Sequence, residues 1–155
     1  MGVHGCSKSF DYKRNKIYQK YIDNNNTFNY EVNSLIVYSN EEIINLIDED
    51  KLYIRIYNFH TAYLLNKIPV RDSLDKRGLD ENLINCLSLW KNNNYLLVGY
   101  GNTIRIIDLN EKKIILKLLG HNRIMTIKAF IHPKVRECFI SQGIYEDSIK
   151  LWLKN

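Results

Sequence analysis

Residues 103–108 read TIRIID, with Ile104 and Ile106 alternating with Thr103 and Arg105 before the closing pair Ile107-Asp108. Alternation of period two, bounded by polar turns, predicts a β-strand with one face buried. The pattern returns as YIRIYN at 53–58 and SIKLWL at 148–153. Aligned on their last large residue, Tyr57, Ile107 and Trp152, the three lie fifty and then forty-five residues apart. Their surroundings repeat as well. Each follows an apolar segment (EIINLID, YLLVGYG, CFISQGI), and further upstream lie SLIVYS, LINCLSLW and IMTIKAF. After the first two come NFHTAYLLNKI and DLNEKKIILKLL, each a turn running into another apolar strand. Short apolar segments, frequent polar breaks and only two prolines predict an all-β chain built from an internal repeat.

The repeat resembles the WD40 family, whose members form β-propellers, and the resemblance covers about residues 33–153. It is strongest in Gly120-His121 followed by SIKLW, and in VGYGNTIRIIDL. The family's Trp-Asp pair falls on Trp152-Leu153, Ile107-Asp108 and Tyr57-Asn58, none of them a complete match. The resemblance implies WD40-type propeller blades, each an antiparallel four-stranded sheet, with repeats at about 33–68, 83–118 and 121–153. It also implies a hydrogen-bonded set in the last blade: His121, Ser141, Glu146 and Trp152, with Asp147 as the neighbouring acid that competes for the imidazole. A Trp N–H buried in a sheet stack needs an acceptor, so the set reads as structural. The rival reading is a hydrolase triad of His121, Ser141 and an acid. It lacks a GxSxG elbow and places Ser141 inside a strand. The second repeat has no Gly-His pair and carries PVRDSLDKRGLDEN (69–82) in its place, a segment expected to be a mobile loop or partner contact.

Three repeats are few for a ring, since propellers typically close with four to eight blades. The last repeat stops after three strands, whereas KIYQKYI from Lys16 is a spare strand ahead of the first. The family closes its rings by letting an N-terminal strand complete the C-terminal blade. The expectation is a partial, three-blade propeller over 16–155, preceded by a flexible basic tail over 1–15. A homodimer that exchanges terminal strands to complete a propeller is the associated oligomer expectation.

A chain of 155 residues, 45% apolar, supports one ordinary domain. The net charge of +5 is scattered, and the only dense basic run is DYKRNKIYQK at 11–20. Cys6, Cys86 and Cys138 lie far apart without a CxxC pair, which argues against a zinc site or a disulfide framework. His4, His60 and His132 stand alone in tail, turn and loop, and GYGN lacks the Lys and helix of a phosphate loop. No metal, cofactor or small-molecule substrate is implied. No apolar run approaches the ~20 residues needed to span a bilayer, and no apolar signal segment follows the basic N-terminus, so the expected location is the cytoplasm or nucleus. In MGVHGCSKSF, Gly2 is the myristate position and Cys6 a palmitate candidate, although Cys6 stands where Ser or Thr is usual.

The function that the resemblance implies is a non-catalytic scaffold binding other proteins through rim loops. By loop position the contacts fall on Tyr100, Asn102, Arg123 and Tyr145, since Tyr and Arg tend to anchor interfaces. The alternative is binding of nucleic acid or a membrane surface through the basic N-terminal segment. It takes second place because the charge is so dispersed.

Overall fold

The computed structural model describes residues 7–11, 16–21, 32–39, 42–47, 53–71, 84–134 and 136–153, and every regular element among them is a strand of an antiparallel sheet. In chain order these are β1 (Ser7–Asp11), β2 (Lys16–Tyr21), β3 (Val32–Val37), β4 (Glu42–Ile47), β5 (Tyr53–Asn58), β6 (Leu64–Pro69) and β7 (Ile84–Trp90). They continue with β8 (Tyr95–Tyr100), β9 (Thr103–Asp108), β10 (Lys113–Leu119), β11 (Ile124–His132), β12 (Arg136–Gly143) and β13 (Ile149–Trp152). The chain divides into two compact units, Met1–Ile68 and Pro69–Asn155, where the sequence reading has one domain over 16–155.

The first unit holds the two-stranded sheet β1-β2 and a four-stranded sheet in the order β3-β4-β5-β6. Ser7–Asp11 lies in the stretch expected to be a flexible tail, yet it pairs with β2 from Ser7↔Tyr21 to Asp11↔Lys16. The boundary at residue 15 is therefore corrected. SKSFD has no apolar alternation to announce a strand, but β2 offers it backbone partners. The strand read as spare is thus already paired. Ile54, Arg55, Ile56 and Tyr57 are all buried, so β5 is covered on both faces.

The second unit holds a four-stranded sheet in the order β7-β8-β9-β10 and, among the described residues, a three-stranded sheet β11-β12-β13. One face of the first of these, carrying Trp90, Leu97, Ile104 and Ile106, packs on Ile127, Phe139 and the partly buried Trp152 of the other. Burying each such side chain contributes roughly 1.5–3 kcal/mol. Phe139 stacks on Trp152 with centroids 5.8 Å apart and meets Trp90 edge-on at 5.4 Å. The leading strands β7 and β11 are tied together where Asn85 Nδ2 donates to the Ile124 carbonyl (2.8 Å) and the Ala129 N–H donates to Ser88 Oγ (3.0 Å).

The three larger sheets repeat one register. Ile43↔Tyr57, Leu96↔Ile107 and Phe139↔Trp152 are equivalent pairs, and so are Ile44↔Ile56, Leu97↔Ile106 and Ile140↔Leu151. A bulge interrupts each first strand at the same place: Val32/Ser34, Ile84/Cys86 and Ile124/Thr126. A bulge flips the faces of the residues beyond it, so its recurrence fixes the same residues inward each time. The internal repeat read from spacing is therefore present in the backbone pairing.

The residue after each aligned position closes the third strand. Asn58 Oδ1 accepts from the N–H groups of His60 (3.0 Å) and Thr61 (2.8 Å), and Asp108 Oδ1 accepts from those of Asn110 and Glu111 (both 2.9 Å). Such side-chain bonds build a turn. Four residues beyond each lies a residue in the left-handed region, Ala62 (φ 58°) and Lys112 (φ 55°), and the fourth strand comes next. In the third sheet the position is Leu153, which has no acceptor to offer.

Candidate functional site

His121, Ser141, Glu146 and Trp152 meet at one side of the third sheet. His121 follows β10, Ser141 lies within β12, Glu146 in the turn to β13, and Trp152 at the end of β13. Trp152 Nε1 donates to Ser141 Oγ at 2.7 Å, and His121 Nε2 lies 2.7 Å from the same oxygen. His121 Nδ1 is hydrogen-bonded to Glu146 Oε2, and the Asn122 N–H donates to Glu146 Oε1 at 2.7 Å. Of the two acids the sequence left open, Glu146 makes this contact.

One assignment of protons satisfies the whole set. With Nδ1 protonated toward the carboxylate, Nε2 accepts from the Ser141 hydroxyl, whose oxygen in turn accepts the indole N–H. Donation then runs in one direction from Trp152 to Glu146. The hydrogen bond from His121 and then that from Asn122 hold the Glu146 carboxyl below its ordinary range, with Lys150 adding a smaller attraction.

Glycines make room for this arrangement. A Cβ at Gly120 would meet the Trp152 ring at 2.5 Å, and one at Gly143 would meet the Glu146 carboxyl carbon at 2.8 Å. The Gly-His pair is thus explained on both residues. Gly120 admits the indole and His121 bonds beneath it.

Acid, imidazole and hydroxyl stand in the order of a hydrolase triad, but Ser141 is 1% exposed and its oxygen already receives the Trp152 N–H. A nucleophile must reach substrate. The set ties the His121 loop, β12 and β13 together instead, each bond removing a buried polar penalty.

The residues expected to contact partners separate. Tyr145 is 98% exposed and holds φ 56° at the tip of the β12–β13 turn, and Asn102 is exposed in the β8–β9 turn. Arg123 is half-buried, and its Nε is buried without a hydrogen-bond partner. Tyr100 is corrected: it is 2% exposed, with the Arg105 guanidinium 3.7 Å from its ring centroid. Loop position placed it at a rim, whereas its register on β8 turns it into a buried face. Gly2 and Cys6 lie outside the described residues, as does 72–82 of the insertion.

Sequence reasoning missed the buried arginines. Arg55 and Arg105 occupy the same register position in the first two sheets, and Arg105 Nη1 donates to the Val70 carbonyl. The shared IRI of YIRIYN and TIRIID was the available signal; alternation marked both as solvent-facing. A shallow pocket of about 150 Å³ lies between the β7–β8 turn and the β11–β12 end, lined in part by Trp90, Lys91, Asn92, Phe130 and Glu137. Trp90 Nε1 is buried there without a hydrogen-bond partner, and Lys91 Nζ stands 4.2 Å over its ring. Cys86 is pushed up to about 12 by burial. No helix of the described residues is long and apolar enough to cross a membrane. Searched against known protein families, the chain matches none.

Proposed function

We propose that the chain is a WD40-type repeat protein, a partial propeller of three blades, acting in the cytoplasm or nucleus as a non-catalytic scaffold for other proteins. The observation that carries this reading is the bonded set from Trp152 through Ser141 and His121 to Glu146: the groups able to do chemistry in this repeat are committed to one another. The shared register and bulge support the repeat. The turns closed by Asn58 and Asp108 support reading Tyr57-Asn58 and Ile107-Asp108 as degenerate Trp-Asp pairs.

Partner contacts fall on the exposed turns. A fully exposed Tyr145 held in the left-handed region costs roughly 1–2 kcal/mol that Gly would not, and strain of this kind gathers at functional positions. The test compares proteins retained from a cell extract by the unchanged chain and by a Tyr145→Ser/Asn102→Ala double variant with the same circular dichroism. Loss of a retained protein supports the reading; an identical set of retained proteins overturns the turn assignment.

A second reading keeps the basic N-terminal segment as a site for nucleic acid or an anionic membrane surface. Lys8 and Lys20 are register partners in the β1–β2 hairpin. Binding to RNA or phosphatidylserine vesicles that falls steeply between 50 and 200 mM salt, on the order of tenfold or more, favours it.

A further inference from the structure

Three turns of the second unit are tied together at one end of its two sheets. The Ile124 N–H donates to the Gly101 carbonyl of the β8–β9 turn (2.8 Å), and the Gly120 N–H donates to that of Asn102 (3.5 Å). The Ile144 N–H, opening the β12–β13 turn, donates to the Arg123 carbonyl (2.8 Å). Arg123 therefore stands between the other two turns, its backbone fixed on both sides. Asn102, Tyr145 and Asp147 are exposed in those flanking turns.

The Arg123 side chain is half-buried, with its Nε shut off from water. Among the described residues its guanidinium has no hydrogen bond and no ion pair. A charge drawn partly out of water is costly to hold unless an opposite charge meets it. Arg123 is the only Lys or Arg in the three turns, which also carry Glu146 and Asp147. Glu146 is committed to His121 and to the Asn122 N–H, so it does not supply the countercharge.

We infer, on the basis of the scaffold reading, that Arg123 receives a carboxylate from an acidic peptide segment of the partner, with Asn102 and Tyr145 flanking it. A guanidinium offers a carboxylate two parallel N–H groups, and a charged hydrogen bond of this kind is about twice as strong as a neutral one. Charge balance selects a carboxylate over a phosphoryl group, because one guanidinium beside the Asp147 carboxylate matches one negative charge better than two. The surface selects a peptide over a small molecule. Small-molecule sites enclose most of their ligand, whereas Tyr145 is 98% exposed and projects from its turn. Its ring is open to apolar contact, and the Asn102 amide to a main-chain hydrogen bond.

The test is calorimetric titration of the full chain with an alternating Glu-Ala peptide, compared with Gln-Ala and phosphoserine-Ala peptides. The Glu-Ala peptide binds saturably and the Gln-Ala peptide at least about tenfold more weakly, as loss of a charged hydrogen bond does. Arg123→Gln weakens Glu-Ala binding by a similar factor, and Arg123→Lys by less. Asp147→Asn tightens it roughly 1.5- to 5-fold by removing an exposed like charge. That exposed position keeps the test decisive if Arg123→Gln does not fold, which circular dichroism and urea midpoint read. No binding of the Glu-Ala peptide, equal binding of the Gln-Ala peptide, or tighter binding of the phosphoserine peptide each overturns the inference. So does a Glu-Ala affinity indifferent to Arg123 and Asp147 but lost when Lys13 and Arg14 of the basic run become Ser. The scaffold reading fails separately, when the Tyr145→Ser/Asn102→Ala variant, in which Arg123 is unchanged, retains the same proteins from extract as the unaltered chain.

Discussion

Gly120 lies against the indole of Trp152 so closely that a Cβ on the glycine would stand 2.5 Å from Cζ2 and 2.8 Å from Cη2. Gly120→Ala therefore forces the ring away from Phe139 and lengthens its bond to Ser141. Overpacking of this kind costs roughly 1–3 kcal/mol. The unfolding free energy measured in urea falls by that amount, read as a lower midpoint at unchanged slope. A substitution without effect shows that the indole is free to shift.

Ser141 holds two partners with one oxygen. Ser141→Ala leaves the Trp152 N–H and the His121 ring nitrogen in the core without a partner, at about 1–3 kcal/mol for each buried group. A double-mutant cycle with Trp152→Phe reads the indole's share. The coupling is positive if the N–H bond stabilises, and zero if only ring packing matters.

Acid should unfold the wild-type chain more steeply than Glu146→Gln. The folded Glu146 carboxyl is held below its ordinary value of 4.5, first by the His121 hydrogen bond. Its contribution is whole above that ordinary value and is lost as pH falls through the lowered folded one. Stability measured from pH 6 downward should converge for the two proteins at the acid end. Parallel curves throughout would sink the assignment.

Asp108→Leu places in the second sheet the residue that ends the third. Two turn N–H groups, those of Asn110 and Glu111, lose their acceptor, at about 1 kcal/mol in this exposed setting. Hydrogen exchange of β10 should accelerate while that of β7 and β8 is unchanged.

The Cys86 thiol, pushed up to about 12 by burial, should resist alkylation. The thiolate is the reactive form. At pH 8 iodoacetamide should modify it at least about tenfold more slowly in the native chain than in urea, a difference read by mass spectrometry of the peptide.

How much of this was legible in the sequence differs from residue to residue. The strands of the repeats stand where alternation placed them, because period two is the imprint of a sheet with one covered face. The set around His121 was legible through a resemblance, and the choice of Glu146 over Asp147 was not, since it depends on the path of the turn. Alternation misled at Arg55 and Arg105. A strand covered on both faces buries its polar positions too, and an Arg can occupy one when a carbonyl such as that of Val70 receives its N–H. Tyr100 failed for the same reason, and β1 was invisible because its five residues carry almost no apolar signal.

Three sheets with one register are also three interchangeable templates. During refolding, β9 meets in the slot of β5 a matching phase of hydrogen bonds and a matching sequence of inward residues, since both carry Ile-Arg-Ile. Discrimination is left to kinetics: the short β8–β9 turn and the side-chain-locked β9–β10 turn let neighbours find each other before distant strands arrive. At high concentration that head start shrinks, and chains that trade strands between copies become the characteristic misassembled product.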